Sequence, residues 1–245
     1  MMSGAWIIGH RGASAEAPEN TLAAFRRAAE LGAAGFETDL RVTSDGEFLL
    51  LHDARVNRTT DGRGQVDELP LAALRRLDAG SWFDKKFAGE RIPTLDEALG
   101  LAGELGLRIY LEVKAPLSGS LPRALAERLR NTGRLDRVVV LAFDGATIAA
   151  VREAEPGLET ALLTDRARGA VKQAQRAGAK QLAPRHTRAT PRLVRQAREA
   201  GLGVVVWTVN RRSEMRRMLS IGVDGIMTDY PGRLRETIEE RRRGK

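Results

Sequence analysis

The stretch Phe36-Glu37-Thr38-Asp39-Leu40-Arg41-Val42 is apolar enough to be a buried strand, yet it carries two acids two residues apart. Alternate residues of a strand share a face, so Glu37 and Asp39 point the same way. Thr43-Ser44-Asp45-Gly46 follows, with Asp-Gly as its turn signal, and then a second apolar run over 47–51. This reads as a β-hairpin ending in His52-Asp53.

Outward from this point, short apolar runs alternate with amphipathic ones. Strands are expected over 6–9, 36–42, 108–113, 137–141, 160–163, 180–183, 203–207 and 225–227. Helical spacing covers, among others, 21–31, 94–105, 121–130, 191–200, 213–220 and 232–242. Gly32, Gly106, Gly178, Gly201 and Gly222 stand where helices should stop. Eight βα units imply a parallel sheet with crossover helices, and fit a closed (β/α)8 TIM barrel better than an open doubly wound sheet. The length of 245 residues suits one such barrel, 1–245. Only 53–92 breaks the rhythm, and reads as a small insertion over the barrel mouth with a helical patch at 71–77.

Composition narrows the chemistry. Hydrophobic residues make up 42% and charged residues 29% of the chain, as in a soluble globular protein. With no cysteine, a metal must be held by oxygen or histidine. The N-terminal apolar run is short and lacks a basic flank, so a cytoplasmic protein without stable membrane insertion is the expectation. The net charge of +8 favours anionic partners, but 34 of the 40 basic residues are Arg spread along the chain. That is a compositional bias rather than a nucleic-acid patch, and the tail 240–245 (ERRRGK) reads as a solvated helix end. Oligomeric state is left open.

Barrel active sites sit at the C-terminal ends of strands. There the chain places His10-Arg11-Gly12, Glu37 with Asp39, His52-Asp53, Glu112-Val113-Lys114 and Trp207-Thr208-Val209-Asn210. Glu112 matches Glu37 and Asp39 on the next barrel strand. Three converging carboxylates either hold a hard divalent cation (Mg²⁺ or Ca²⁺, with Mn²⁺ allowed) or pair with Arg11 and Lys114 in a buried salt-bridge network; spacing leaves both open. His10 and His52, two of the three histidines, suit an acid–base pair. His186, on a loop after the sixth barrel strand, reads as solvated. There is no Walker-type phosphate loop, zinc-protease helix motif or Gly-x-Ser-x-Gly elbow.

At these residues the chain resembles the glycerophosphodiester phosphodiesterase family. The matching pieces, in family order, also include Ala17-Pro18-Glu19-Asn20-Thr21, Ile92-Pro93-Thr94-Leu95, Val223-Asp224-Gly225 and Thr228-Asp229-Tyr230-Pro231. The resemblance implies a (β/α)8 barrel, metal ligation by Glu37, Asp39 and Glu112, and acid–base catalysis by His10 and His52. It implies phosphate binding by Arg11 and Lys114, and a substrate pocket walled by Trp207 and Phe143. The small-molecule substrate would be a glycerophosphodiester, cleaved to glycerol 3-phosphate and an alcohol such as choline or ethanolamine. One departure is Leu141-Ala142-Phe143, where many relatives have Ser before the Phe. Two rivals are weighed. A lipid-acting member of the same fold would use Trp82, Phe83 and Phe87 as an entry surface, although packing of the insertion accounts for them as well. A non-catalytic phosphate- or nucleic-acid-binding barrel would lack a catalytic group, and none is missing.

Overall fold

The computed structural model describes residues 5–114 and 117–244, so the start of the N-terminal segment (1–4) and Lys245 of the basic tail lie outside the described residues. The chain runs β1 (Trp6–His10), α1 (Leu22–Glu30), β2 (Gly35–Val42), β3 (Phe48–Leu50), α2 (Leu71–Leu74), α3 (Leu95–Leu105) and β4 (Arg108–Val113). Then come α4 (Leu121–Asn131), β5 (Val138–Ala142), α5 (Gly145–Ala154), β6 (Glu159–Thr164), α6 (Ala170–Ala177) and β7 (Gln181–Pro184). The last elements are α7 (Pro191–Glu199), β8 (Gly203–Val206), α8 (Arg212–Ile221), β9 (Gly225–Thr228) and α9 (Pro231–Arg243).

Eight strands pair in parallel in the order β1-β9-β8-β7-β6-β5-β4-β2, and β1 also pairs with β2, which closes the ring. This is the expected TIM barrel. The extra strand, β3, pairs antiparallel to the end of β2, with Leu40 opposite Leu50. Gly46, at φ 82, makes the hairpin turn and donates its N–H to Thr43 O at 3.0 Å.

Strand alternation divides the side chains into two sets. Ile8, Tyr110, Val139, Leu163, Val205 and Met227 cluster inside the barrel. Their neighbours of the other parity, such as Phe36, Val140, Leu162 and Ile226, belong to the clusters formed with the surrounding helices. Glu37, Asp39 and Glu112 have the inward parity. Register sets His10 beside Glu37, Asp39 beside Glu112, and Glu112 beside Leu141. At the opposite end of the strands, Arg108 pairs with Glu159 at 2.6 Å and Gln181 donates to the same carboxylate at 2.8 Å.

Helix ends follow the local chemistry. Thr21 caps α1, and Thr94 with Glu97 forms a capping box on α3. Gly106, Gly178 and Gly222 take left-handed conformations at the ends of α3, α6 and α8. In the insertion the expected helical patch is shorter than 71–77. After Leu74 the hydrogen bonds tighten to three-residue spacing, with Leu77 N–H reaching Leu74 O at 3.2 Å. Val56, Val66, Leu74, Ala79 and Ile92 give the insertion its own apolar cluster with Leu49 and Leu51. Trp82, Phe83 and Phe87 meet edge to face at 5.7 and 5.8 Å, and Trp82 stays 40% exposed. His186 is half-buried rather than solvated, because Glu214 approaches its Nε2 to 3.4 Å. Among the described residues no helix is long and apolar enough to cross a membrane.

Two left-handed glycines make a controlled comparison. Gly12 has φ 84, and a Cβ there would lie 2.6 Å from the backbone of Ala24 in α1. Gly46 has φ 82 and open space around it. Gly46→Ala should therefore cost only the left-handed penalty, about 1–2 kcal/mol. Gly12→Ala adds an overpacking cost of about 1–3 kcal/mol. Denaturant melts of the two variants should differ in that order, and equal losses would contradict the close packing of α1 on the 11–12 turn.

Candidate active site

The site begins where β1 stops. Arg11 and Gly12 take consecutive positive φ values, 55 and 84, and Asn20 another, 56. A left-handed arginine is strained, and such residues persist where their surroundings hold them. Here the Arg11 N–H donates to Glu37 Oε2 at 3.0 Å, and its carbonyl accepts from Asn20 N–H at 3.1 Å. The turn thus brings the Arg11 side chain back over β2. Its Nε lies 3.3 Å from Asp39 Oδ2, and its Nη1 donates to Glu19 Oε1 at 2.9 Å.

Glu37, Asp39 and Glu112 converge at this end of the barrel, each offering an oxygen within 4.8 Å of the others. Glu37 and Asp39 are buried. Asp39 accepts from Asn20 Nδ2 at 2.8 Å, and Lys114 Nζ lies 3.4 Å from it and 2.8 Å from Glu112. The salt-bridge network considered from the sequence therefore exists, but it is incomplete. Two cations face three carboxylates, and the buried Glu37 Oε1 has no hydrogen-bond partner among the described residues. Burial, reinforced by Asp39, pushes the Glu37 carboxyl up to about 8. Glu112 is also raised, by burial and by Asp39. Burial acts upward on Asp39 too, but Arg11 and Lys114 outweigh it and hold this carboxyl below its ordinary range. An all-oxygen donor set with more carboxyl groups than cations and an orphaned buried oxygen fits a hard divalent cation.

Both histidines are braced by a carboxylate. His10 Nδ1 lies 2.7 Å from Asp229 Oδ1, and its Nε2 is 3.9 Å from Glu37 Oε2. Asp229 is itself held by Ser14 Oγ at 3.0 Å and Asn210 Nδ2 at 2.6 Å. His52 Nδ1 lies 2.7 Å from Asp53 Oδ1. Arg58, from the insertion, bridges Asp53 at 2.7 Å and Glu19 at 2.8 Å. Burial lowers the basicity of His10, but the Asp229 hydrogen bond and the Glu37 charge more than reverse this and raise its pKa. For His52 burial prevails over the pull of Asp39, and its pKa is lowered. The carboxylate–imidazole contacts leave each Nε2 as the nitrogen available for proton transfer.

A cavity of about 270 Å³ brings together His10, Arg11, Glu37, His52, Glu112 and Lys114 with Phe143 and Trp207. Phe143 and Trp207 meet edge to face at 5.6 Å, and the indole Nε1 donates to Ala183 O at 2.7 Å. Eight of the nine residues singled out in the sequence line this cavity, and Asp39 joins them through the carboxylate cluster. Reading strand ends gives Asp229 no task, although it stands one residue beyond β9, the kind of position that marks His10 out. Arg58 carries no such signal, since it lies in the irregular insertion.

The family model of the glycerophosphoryl diester phosphodiesterase family matches residues 10–233. A glycerophosphodiester phosphodiesterase from Caldanaerobacter subterraneus subsp. tengcongensis is 39% identical over 230 residues, covering 92% of this chain and 94% of its own. One from Bacillus subtilis is 32% identical over 91% of this chain and 83% of its own. An Oleispira antarctica phosphodiesterase, solved in complex with the product sn-glycerol-3-phosphate, superposes with a TM-score of 0.90 at 29% identity, covering 96% of this chain and 97% of its own. With its barrel, its acidic cluster and matches of this extent, the chain belongs to the glycerophosphoryl diester phosphodiesterase family and is a phosphoric diester hydrolase.

Proposed function

We propose that this enzyme hydrolyses glycerophosphodiesters to glycerol 3-phosphate and an alcohol with a divalent cation held by Glu37, Asp39 and Glu112, and with His10 and His52 as general acid and general base. The observation that carries this reading is the orphaned, buried Glu37 oxygen inside a surplus of carboxylates, flanked by two carboxylate-braced histidines. The Oleispira antarctica neighbour, bound to sn-glycerol-3-phosphate, supports the product. The 53–92 insertion belongs to the same catalytic unit in this reading, because its Asp53 braces His52 and its Arg58 reaches Glu19 of the barrel.

When bound, Mg²⁺, Ca²⁺ or Mn²⁺ supplies Lewis-acid polarisation of the phosphoryl group. The chain's own residues supply the rest. Arg11 and Lys114, at the cavity wall, add positive charge toward the phosphoryl oxygens. His52, biased toward its neutral form, takes the proton of the attacking hydroxyl at Nε2. His10, biased toward its charged form, returns one to the departing alkoxide. The attacking hydroxyl is water or the free glycerol hydroxyl of the substrate, the latter passing through a cyclic phosphate. A diester lacking that hydroxyl separates the two routes. Trp207 and Phe143 wall the organic part of the substrate.

Chelation by EDTA should abolish glycerol 3-phosphate release, and added Mg²⁺, Ca²⁺ or Mn²⁺ should restore it. The metal-free fold carries a second signature. An unfolded chain loses the Glu37 proton near the ordinary 4.5, whereas the folded chain keeps it to about 8. This group's contribution to stability is therefore present at acid pH and is lost as pH rises between those values. Metal-free Glu37→Gln should melt above wild type at pH 8, with the gap closing toward pH 5. Added cation should raise the melting temperature of wild type more than that of the variant. Equal responses would remove Glu37 from the metal site.

His10→Ala and His52→Ala should each lower kcat about 10²–10⁴-fold while leaving cation binding intact. The pH–rate profile assigns the roles. A base must be neutral, so His52→Ala should erase the acidic limb; an acid must be protonated, so His10→Ala should erase the alkaline limb. A double variant that kept a tenth or more of wild-type kcat would exclude the pair.

A further inference from the structure

The barrel mouth is charged on one side and apolar on the other. His10, Glu37, Glu112 and Lys114 come from β1, β2 and the β4 end, whereas Leu141, Leu163 and Trp207 come from β5, β6 and the β8 end. Over the apolar side lie two residues with no part in the chemistry described above. Arg185 follows β7 directly and bridges to Trp207 through the backbone. Its guanidinium carbon stands 5.1 Å from the centroid of the Trp207 ring. Its Nε is 2.7 Å from Asp165 Oδ1, one residue beyond β6. Both side chains line the cavity and are about half exposed, 50% for Arg185 and 54% for Asp165.

An aromatic face with a carboxylate beside it is the arrangement that receives a quaternary ammonium. Trp207 and Asp165 would form one, but Arg185 covers the indole and neutralises the carboxylate at the same time. An incoming ammonium would have to displace a guanidinium that already holds the cation–aromatic contact, break its ion pair and meet its charge. A polyol or anionic group meets no such penalty, and the guanidinium offers it donors.

We propose that Arg185 is a specificity-determining residue which, through its place over Trp207 and its pair with Asp165, turns the enzyme toward glycerophosphodiesters whose second alcohol is an uncharged polyol or an anion, and away from those carrying a quaternary ammonium. This rests on the hydrolysis proposed above and narrows its substrate class. The selection acts through a charge already seated in the mouth, so it is a matter of exclusion as much as attraction.

The test compares kcat/KM for glycerophosphocholine and glycerophosphoglycerol, read as glycerol 3-phosphate release, in wild type, Arg185→Gln, and Arg185→Gln combined with Asp165→Asn. Melting temperatures serve as the check on folding. Wild type should favour glycerophosphoglycerol. Arg185→Gln should shift the ratio toward the choline diester by about threefold to tenfold, the scale of a partly exposed cation–aromatic contact, and mostly through KM. Adding Asp165→Asn should reverse part of that gain. A wild-type preference for glycerophosphocholine, or an unchanged ratio in an Arg185→Gln protein that melts like wild type, would overturn the assignment while leaving the hydrolase reading intact. Absence of glycerol 3-phosphate from every diester with wild type and added cation would overturn both.

Discussion

Mutual repulsion among Glu37, Asp39 and Glu112 is the constraint around which the mouth of this barrel is arranged. Their oxygens lie within 4.8 Å of one another in a largely buried place. At an effective dielectric of about 20, each ionised pair at that separation costs roughly 3–4 kcal/mol. The fold does not avoid this cost: β2 and β4 pair in a register that sets Asp39 beside Glu112 on the inward face. The cost is partly offset by Arg11, Lys114 and Asn20, and partly by protonation of Glu37. What remains is an electrostatic gap of the kind a divalent cation closes.

The surrounding structure follows from keeping that cluster in place. The left-handed Arg11 brings both a backbone donor and a guanidinium to it, and Gly12 allows α1 to pack against the same turn. Closure of the ring between β1 and β9 brings Asp229 to His10, across 219 residues of sequence. The insertion performs the equivalent task for His52, through Arg58 and Asp53. His10 is thus braced from across the ring closure and His52 by its own neighbour in the chain, and their proton affinities move in opposite directions.

Much of this was legible in the sequence because it follows from short periods. Two acids two apart on a strand must share a face, and glycines at helix ends mark each βα unit. Contacts set by closure of the barrel carry no such period. Nothing local links Asp229 to His10, and only the β1–β9 pairing does so. Arg58 lies in a segment of three-residue turns whose order comes from its own apolar cluster, so neither helical nor strand spacing exposes it. The helical patch there stops at Leu74, where the hydrogen bonds tighten to three-residue spacing, and His186 is less exposed than its loop position implies because Glu214 on α8 reaches it. The Arg185–Asp165 pair likewise joins two strand-end loops whose adjacency only the strand order defines.

The claim that the carboxylate cluster is a cation site is tested most directly by titrating Mn²⁺ into chelator-treated protein and counting free Mn²⁺ by electron paramagnetic resonance. The account predicts one binding site per chain in wild type, strongly weakened in both Glu37→Gln and Asp39→Asn and retained in His52→Ala. Wild-type protein that binds no Mn²⁺, or binds it equally well in all three variants, would contradict it.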